Sequence, residues 1–150
     1  MFPIGLLLAQ EEVLAADSAW NCTGCKKKVQ AVKRLTLYNL PSVLIITIKR
    51  FISYGNLADK VTKPVCFQPT LDMAPYALNA TEGTVFDLVG IVNHQGNMNG
   101  GHYTADVKGS VDGQWFSFSD ETVQAASTCQ QGTPKYGLAY ILFYTKRYRQ

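Results

Sequence analysis

Gly100-Gly101-His102-Tyr103-Thr104-Ala105-Asp106-Val107-Lys108 leads into the turn cluster Gly109-Ser110-Val111-Asp112-Gly113, and then Gln114-Trp115-Phe116-Ser117-Phe118-Ser119-Asp120-Glu121-Thr122-Val123 follows. Runs rich in β-branched and aromatic residues on either side of such a cluster read as an antiparallel hairpin. Side chains alternate along a strand, so the parity of the loop decides which residues share a face. A loop with an even number of residues puts His102 and Ser119 on one face. A four-residue loop, Gly109 to Asp112, sets them directly opposite, roughly 5 Å apart at Cβ. An odd-length loop brings Asp120 to that face instead. Either way an imidazole gains a polar partner across the hairpin, the base half of a Cys–His nucleophilic site. Gly100 and Gly101 remove side chains just before His102, as suits close approach by an extended substrate backbone. A lone strand histidine is also an ordinary structural residue; the glycines and the partner across the hairpin tip the reading toward chemistry.

The rest of the chain sets bounds. With 150 residues, 47% of them hydrophobic and 17% charged, it has the length and composition of one globular domain with a real core. The net charge of +3 comes from short basic runs such as Lys26-Lys27-Lys28 and Lys146-Arg147, which read as solvated faces and not as a nucleic-acid surface. No run approaches the roughly 20 apolar residues that span a membrane. The opening Met1 to Ala9 is apolar but has no basic segment before it, so it reads as a helix or core segment and not as a signal peptide. Cysteine usage, one CxxC and two isolated thiols, suits a reducing, intracellular compartment.

Leu6 to Ala16 has helical composition and ends near Asp17-Ser18. Val29 to Leu40 alternates like a strand and is broken by Pro41. The run Val43 to Ile48 reads as a strand buried on both faces, closed at a surface by Lys49-Arg50-Phe51. Ser53 to Pro64 reads as a loop, and Val65 to Phe67 and Leu71 to Met73 as short extended pieces. Val85 to His94 is a strand, Gln95 to Gly100 a loop, Ala125 to Lys135 a loop and Leu138 to Tyr144 a strand. The expected architecture is β-dominated and antiparallel, with one N-terminal helix.

Cys22-Thr23-Gly24-Cys25 has the spacing of a zinc knuckle, in which two thiolates converge on one metal. A structural site needs four ligands, and the remaining Cys66, Cys129, His94 and His102 include no second pair at that spacing. The two thiols therefore read as half of a zinc site or as a pair with no metal role. A redox pair would want a thioredoxin-like βαβ context, which is missing. Cys66 reads as a small core residue. Cys129 lies in a polar loop with no basic neighbour to activate it.

The segments GIVNHQGNMNGGHYTADVK, QWFSFSDETV and LAYILFY resemble the His box of the ubiquitin-specific proteases, a family of cysteine deubiquitinases. CTGCKKKVQAVKRLTLYNLPSVLIITIKRF resembles the stretch of that family that runs from its second zinc knuckle into a central strand, and VCFQPTLDMAPY also fits. The resemblance implies an α+β, papain-like cysteine protease fold. It places residues 1–40 at the end of the fingers region and 41–150 in the palm, together part of one catalytic domain. It implies that His102 is the general base, assisted by Ser119 or Asp120. Ser119 occupies a position where most members carry Asp or Asn, so the neighbouring Asp120 is a second orienter to weigh. Gly100, Gly101 and Tyr103 match the channel for ubiquitin's C-terminal tail, and Phe51 a position near the ubiquitin surface. Ser53 to Pro64 and Gln95 to Gly100 match two blocking loops. Cys22 and Cys25 match half of a structural zinc site, completed only if further ligands lie upstream, and no cofactor is implied for catalysis.

The family's cysteine box, of the form G-L-x-N-x-G-N-T-C-Y, does not occur in this sequence. The expectation is therefore a C-terminal portion of a deubiquitinase, inactive by itself, with ubiquitin and ubiquitinated proteins as partners. It should also expose apolar surface at Leu44, Ile46 and Ile48. Two rival readings are a catalytically inactive ubiquitin-binding module and a zinc-ribbon-like interaction domain.

Overall fold

The computed structural model describes residues 11–54, 57–79, 83–126 and 137–148. Two small ladders open the chain. β1 (Glu12–Val13) pairs with β4 (Val32–Lys33), and β2 (Trp20–Cys22) pairs with β3 (Lys27–Val29), both antiparallel. The expected N-terminal helix is corrected here. Glu12–Val13 is strand and only a single 3-10 turn, Ala16–Ser18, follows; Leu6 to Gln10 lie outside the described residues. Main-chain pairing decides this: Glu12 and Val13 pair with Lys33 and Val32, and the Leu14 amide donates to the Ala31 carbonyl at 2.9 Å. No α-helix occurs among the described residues, so the observed fold is antiparallel β.

The main sheet is built from β5 (Val43–Thr47), β8 (Thr70–Asp72), β9 (Val85–Asn97), β10 (Gly100–Lys108), β11 (Trp115–Ser119), β12 (Thr122–Ala125) and β13 (Ala139–Lys146). Its order is β12-β11-β10-β9-β13-β5, with β8 pairing to the first residues of β9. β9 is long enough to hold β8 at residues 85–87 and β10 at residues 90–97, while β13 lies along its other edge. Phe86, Leu88, Ile91, Trp115, Leu142 and Tyr144 form the heart of the core beneath this sheet. The Tyr144 hydroxyl donates to the Gln68 carbonyl at 2.8 Å, so its polar end is satisfied, and burial pushes its pKa well above the ordinary tyrosine value.

Three further expectations change. β5 is not buried on both faces: it is the last strand of the sheet, and its burial alternates. Leu44, Ile46 and Ile48 pack on the core, while Val43 and Ile45, at 47% and 57% exposure, face outward. The apolar surface thus lies on the alternate residues from those expected, because period-two alternation turns the even positions inward. Arg50 does not mark a surface. It is buried, and its guanidinium donates from Nε to the Ala139 carbonyl at 2.6 Å and from Nη1 to the Val61 and Lys63 carbonyls at 2.9 and 3.0 Å. Finally, residues Ser53 to Pro64 are not simply a loop. β6 (Phe51–Tyr54) and β7 (Leu57–Lys60) form an antiparallel hairpin, and Arg50 ties its base to β13.

Candidate functional site

The site begins with the β10–β11 hairpin. Ala105 pairs with Phe118 and Lys108 with Trp115, so the loop spans Gly109 to Gln114. This loop is two residues longer than the four-residue alternative, and its length is still even. His102 and Ser119 therefore share a face but are offset diagonally along it. The imidazole reaches across the offset, and its Nε2 lies 2.8 Å from Ser119 Oγ. Asp120 Oδ2 is 3.9 Å from the same nitrogen, beyond hydrogen-bond range, and its side chain is 82% exposed against 48% for His102. Asp120 also sits at φ +48°, where the strand turns, so its carboxylate leaves the ladder direction. The alternatives the sequence left open are now ordered by geometry: Ser119 makes the contact and Asp120 stands behind it.

With Nε2 engaged by Ser119, Nδ1 of His102 is the ring nitrogen left to exchange a proton with a reacting group. That division follows when Nε2 carries the hydrogen and donates to the hydroxyl oxygen.

On the other face of β10, Tyr103 lies opposite His94 in the ladder, and their ring centroids are 4.6 Å apart. Phe51 meets His94 edge-on at 5.5 Å and Tyr140 at 5.6 Å. The expected substrate-contact residues Phe51, Gly101 and Tyr103 are thus brought together, with His94 between them. The glycines differ in what they accommodate. A side chain at Gly100 would meet nothing within 4 Å, whereas a Cβ at Gly101 would overlap His94 Nε2 and the Gln95 carbonyl. Gly100 leaves open space, while Gly101 makes room for the protein's own ring.

His94 is buried, and among the described residues its Nδ1 is a buried polar atom with no hydrogen-bond partner. Leaving such an atom unpaired costs about 1–3 kcal/mol. Burial, and secondarily the Lys60 ammonium, holds its pKa below the ordinary histidine value, which favours the neutral ring. Lys60 is itself buried and donates from Nζ to the His94 carbonyl at 2.6 Å. Sequence reasoning weighed His94 only as a metal ligand and passed over Lys60 and Tyr140. The signal was available: Asn97-Met98-Asn99-Gly100 read as a two-residue hairpin loop sets His94 against Tyr103.

Cys22 and Cys25 flank the β2–β3 turn, with the Lys26 amide donating to the Cys22 carbonyl at 2.9 Å. Hydrogen bonds from the Cys25 main chain first, then from its thiol and the Gly24 amide, draw the Cys22 thiol below its ordinary value. The shift favours the thiolate form of Cys22. Among the described residues no third Cys, His, Asp or Glu joins them. Cys66 is partly buried, and Cys129 lies outside the described residues. No helix among the described residues is long and apolar enough to cross a membrane.

The sequence profile of a family described as ubiquitin carboxyl-terminal hydrolase matches residues 13–144. The chain belongs to this family. Ubiquitin carboxyl-terminal hydrolase 12 of Saccharomyces cerevisiae is 37% identical over 146 residues, which cover 95% of this chain and 11% of the relative. Ubiquitin carboxyl-terminal hydrolase 15 of Homo sapiens is 38% identical over 143 residues, 94% of this chain and 14% of the relative. Among solved structures, the SAGA DUB module of Ubp8, Sgf11, Sus1 and Sgf73 bound to monoubiquitin matches with a TM-score of 0.83 and 34% identity. That match covers 97% of this chain and 32% of the other. The same module bound to ubiquitin aldehyde matches with a TM-score of 0.80. This member of the ubiquitin carboxyl-terminal hydrolase family therefore shares its fold with a portion of those enzymes, and it spans a small share of its relatives' length.

Proposed function

We propose that this chain supplies the general base and part of the ubiquitin-tail channel of a thiol-dependent deubiquitinase. The observation that carries the reading is the 2.8 Å contact between His102 Nε2 and Ser119 Oγ, in a chain of this family. In the reaction, Nδ1 of His102 takes the proton of a cysteine thiol contributed by a segment other than the described residues. The thiolate sulfur adds to the carbonyl carbon of ubiquitin's last glycine. The amine leaves with the proton that His102 returns, and a thioester remains. Water, deprotonated by the same nitrogen, then adds to the thioester carbon and releases the thiol. Ser119 holds the ring in the tautomer that leaves Nδ1 free. Phe51, Gly100 and Tyr103 line the approach of the tail, and a conjugated or free ubiquitin is the partner. Cys22 and Cys25 fit half of a structural zinc site, and the metal would lock the β2–β3 turn to a second pair of ligands.

The test uses the full polypeptide that carries this chain. His102→Ala should lower hydrolysis of a ubiquitin C-terminal amide by about 10²–10⁴-fold, while ubiquitin binding persists. Activity within a few-fold of the parent would remove His102 from the mechanism. A ubiquitin with a thiol-reactive C-terminus should label a cysteine other than Cys22, Cys25, Cys66 and Cys129, read by mass spectrometry. A stoichiometric adduct on any of those four would assign the nucleophile to this chain and overturn that part of the reading.

A further inference from the structure

The hold on His102 is uneven. Its hairpin ladder with β11 begins only at Ala105, so residues 100–104 of β10 pair with β9 alone. The base thus sits on an overhang, with a half-exposed imidazole and one side-chain hydrogen bond, to Ser119. On the opposite face of that overhang, the His94 ring is clamped among Tyr103, Phe51 and Tyr140. It also fills the space that Gly101 leaves empty, one residue before the base, while Tyr103 is one residue after it. The two neighbours of His102 in the chain are therefore both seated on one buried ring.

Burial with an unpartnered nitrogen is unfavourable for stability alone, and an apolar side chain would avoid it. A histidine ring is nonetheless a good fit to the gap under Gly101: it is flat, and shorter than the six-membered ring of phenylalanine. Lys60, on β7, fixes the His94 main chain from the third side. The charged group that acts on this ring is Lys60, which in turn feels the buried Arg50; no carboxylate pairs with the imidazole among the described residues.

We propose that His94 is a positioning residue: through Gly101 and Tyr103 it sets the height and tilt of the overhang, and so aligns the His102 ring with the attacking thiol. This rests on the reading of His102 as the base. It gives His94 a part in turnover without contact with the reacting atoms.

The experiment measures kcat and KM for a ubiquitin C-terminal amide in the full polypeptide, with His94→Ala, His94→Leu, Ser119→Ala and the double variant His94→Ala/Ser119→Ala. His102→Ala serves as reference. Misplacing a catalytic group by an ångström costs on the order of 10²-fold, so kcat in both His94 variants should fall toward that figure with KM nearly unchanged. Because His94 and Ser119 hold the same imidazole, the losses in the double variant should not multiply. Four results would overturn the assignment: kcat within about threefold of the parent, a rise in KM with kcat intact, fully multiplicative losses, or failure of both His94 variants to fold, which would make the ring ordinary core. If His102→Ala is inactive while the His94 variants keep their turnover, the inference about His94 alone fails. If His102→Ala stays active, the function reading fails with it.

Discussion

Replacing Ser119 by alanine removes one neutral hydrogen bond, at 2.8 Å, from an imidazole that is 48% exposed. Such a bond is worth about 0.5–1.5 kcal/mol net, and water can partly replace it at this exposure. The lower and middle part of that range corresponds to a loss of about 2–5-fold in kcat/KM for ubiquitin-amide hydrolysis. Asp120 stands 3.9 Å away on a side chain that is 82% exposed, where ion pairs contribute little. Its left-handed φ of +48° makes asparagine the right probe, because asparagine tolerates that backbone and alanine would add strain. Asp120→Asn should therefore cost less than about twofold. Ser119→Asp offers a charge-assisted bond in place of a neutral one, roughly twice as strong, and should match or exceed the parent. The assay is steady-state hydrolysis of a fluorogenic ubiquitin C-terminal amide by the full polypeptide. A larger loss from Asp120→Asn than from Ser119→Ala would refute the ordering. Two silent variants would show that neither residue orients the ring.

Arg50→Met leaves the Ala139, Val61 and Lys63 carbonyls without their donor. Thermal unfolding should show a loss of about 3 kcal/mol or more, roughly 6–12 °C in Tm, and a loss under about 1 kcal/mol would mean water takes over those bonds. The folded state depresses the pKa of His94 below its ordinary 6.5, so the unfolded chain binds the proton more readily. The stability of the neutral ring is then fully present above that value and is lost as the pH falls below it. His94→Leu should flatten this acid slope in chemical denaturation, and an unchanged slope would count against the assignment. Cys22→Ser and Cys25→Ser should each abolish bound zinc in the full polypeptide by elemental analysis; zinc content equal to the parent's would exclude the turn as a ligand pair.

The hairpin shows how far a sequence reaches. The turn was readable in Gly109 to Gly113, but its parity was not: an even loop joins His102 to Ser119 on one face, an odd one brings Asp120 there, and the residues alone left both open. The length was not readable, because the turn's own bonds extend it. The Gly109 amide donates to the Gln114 carbonyl at 2.7 Å, and Asp112 caps the Gln114 amide at 3.0 Å. Arg50 was misread for a related reason: a Lys-Arg pair after an apolar strand has the composition of a surface. Only the folded chain shows three carbonyls converging on the guanidinium. Val43 to Ile48 looked buried on both sides because both faces are apolar, yet only Leu44, Ile46 and Ile48 meet the core. Glu12 and Val13 follow an apolar run that suggested a helix, and the distant partner that holds them in a strand, Val32–Lys33, leaves no local mark.

The place of β13 has a consequence for how the chain is made. This strand, the last of those described, is inserted between β5 and β9, and among the described strands it is the one that pairs with β5. At about 5–20 residues per second, the ribosome needs roughly 5–20 s to advance from Thr47 to Lys146. For that interval β5 lacks this partner, and the apolar side chains of Leu44 and Ile46 are open to whatever is nearby. Chaperone engagement during synthesis should therefore be heaviest after β5 emerges and should fall when residues 139–146 clear the exit tunnel. Slowing translation across the intervening stretch would lengthen the exposure and lower the soluble yield, without altering a single residue of the finished protein.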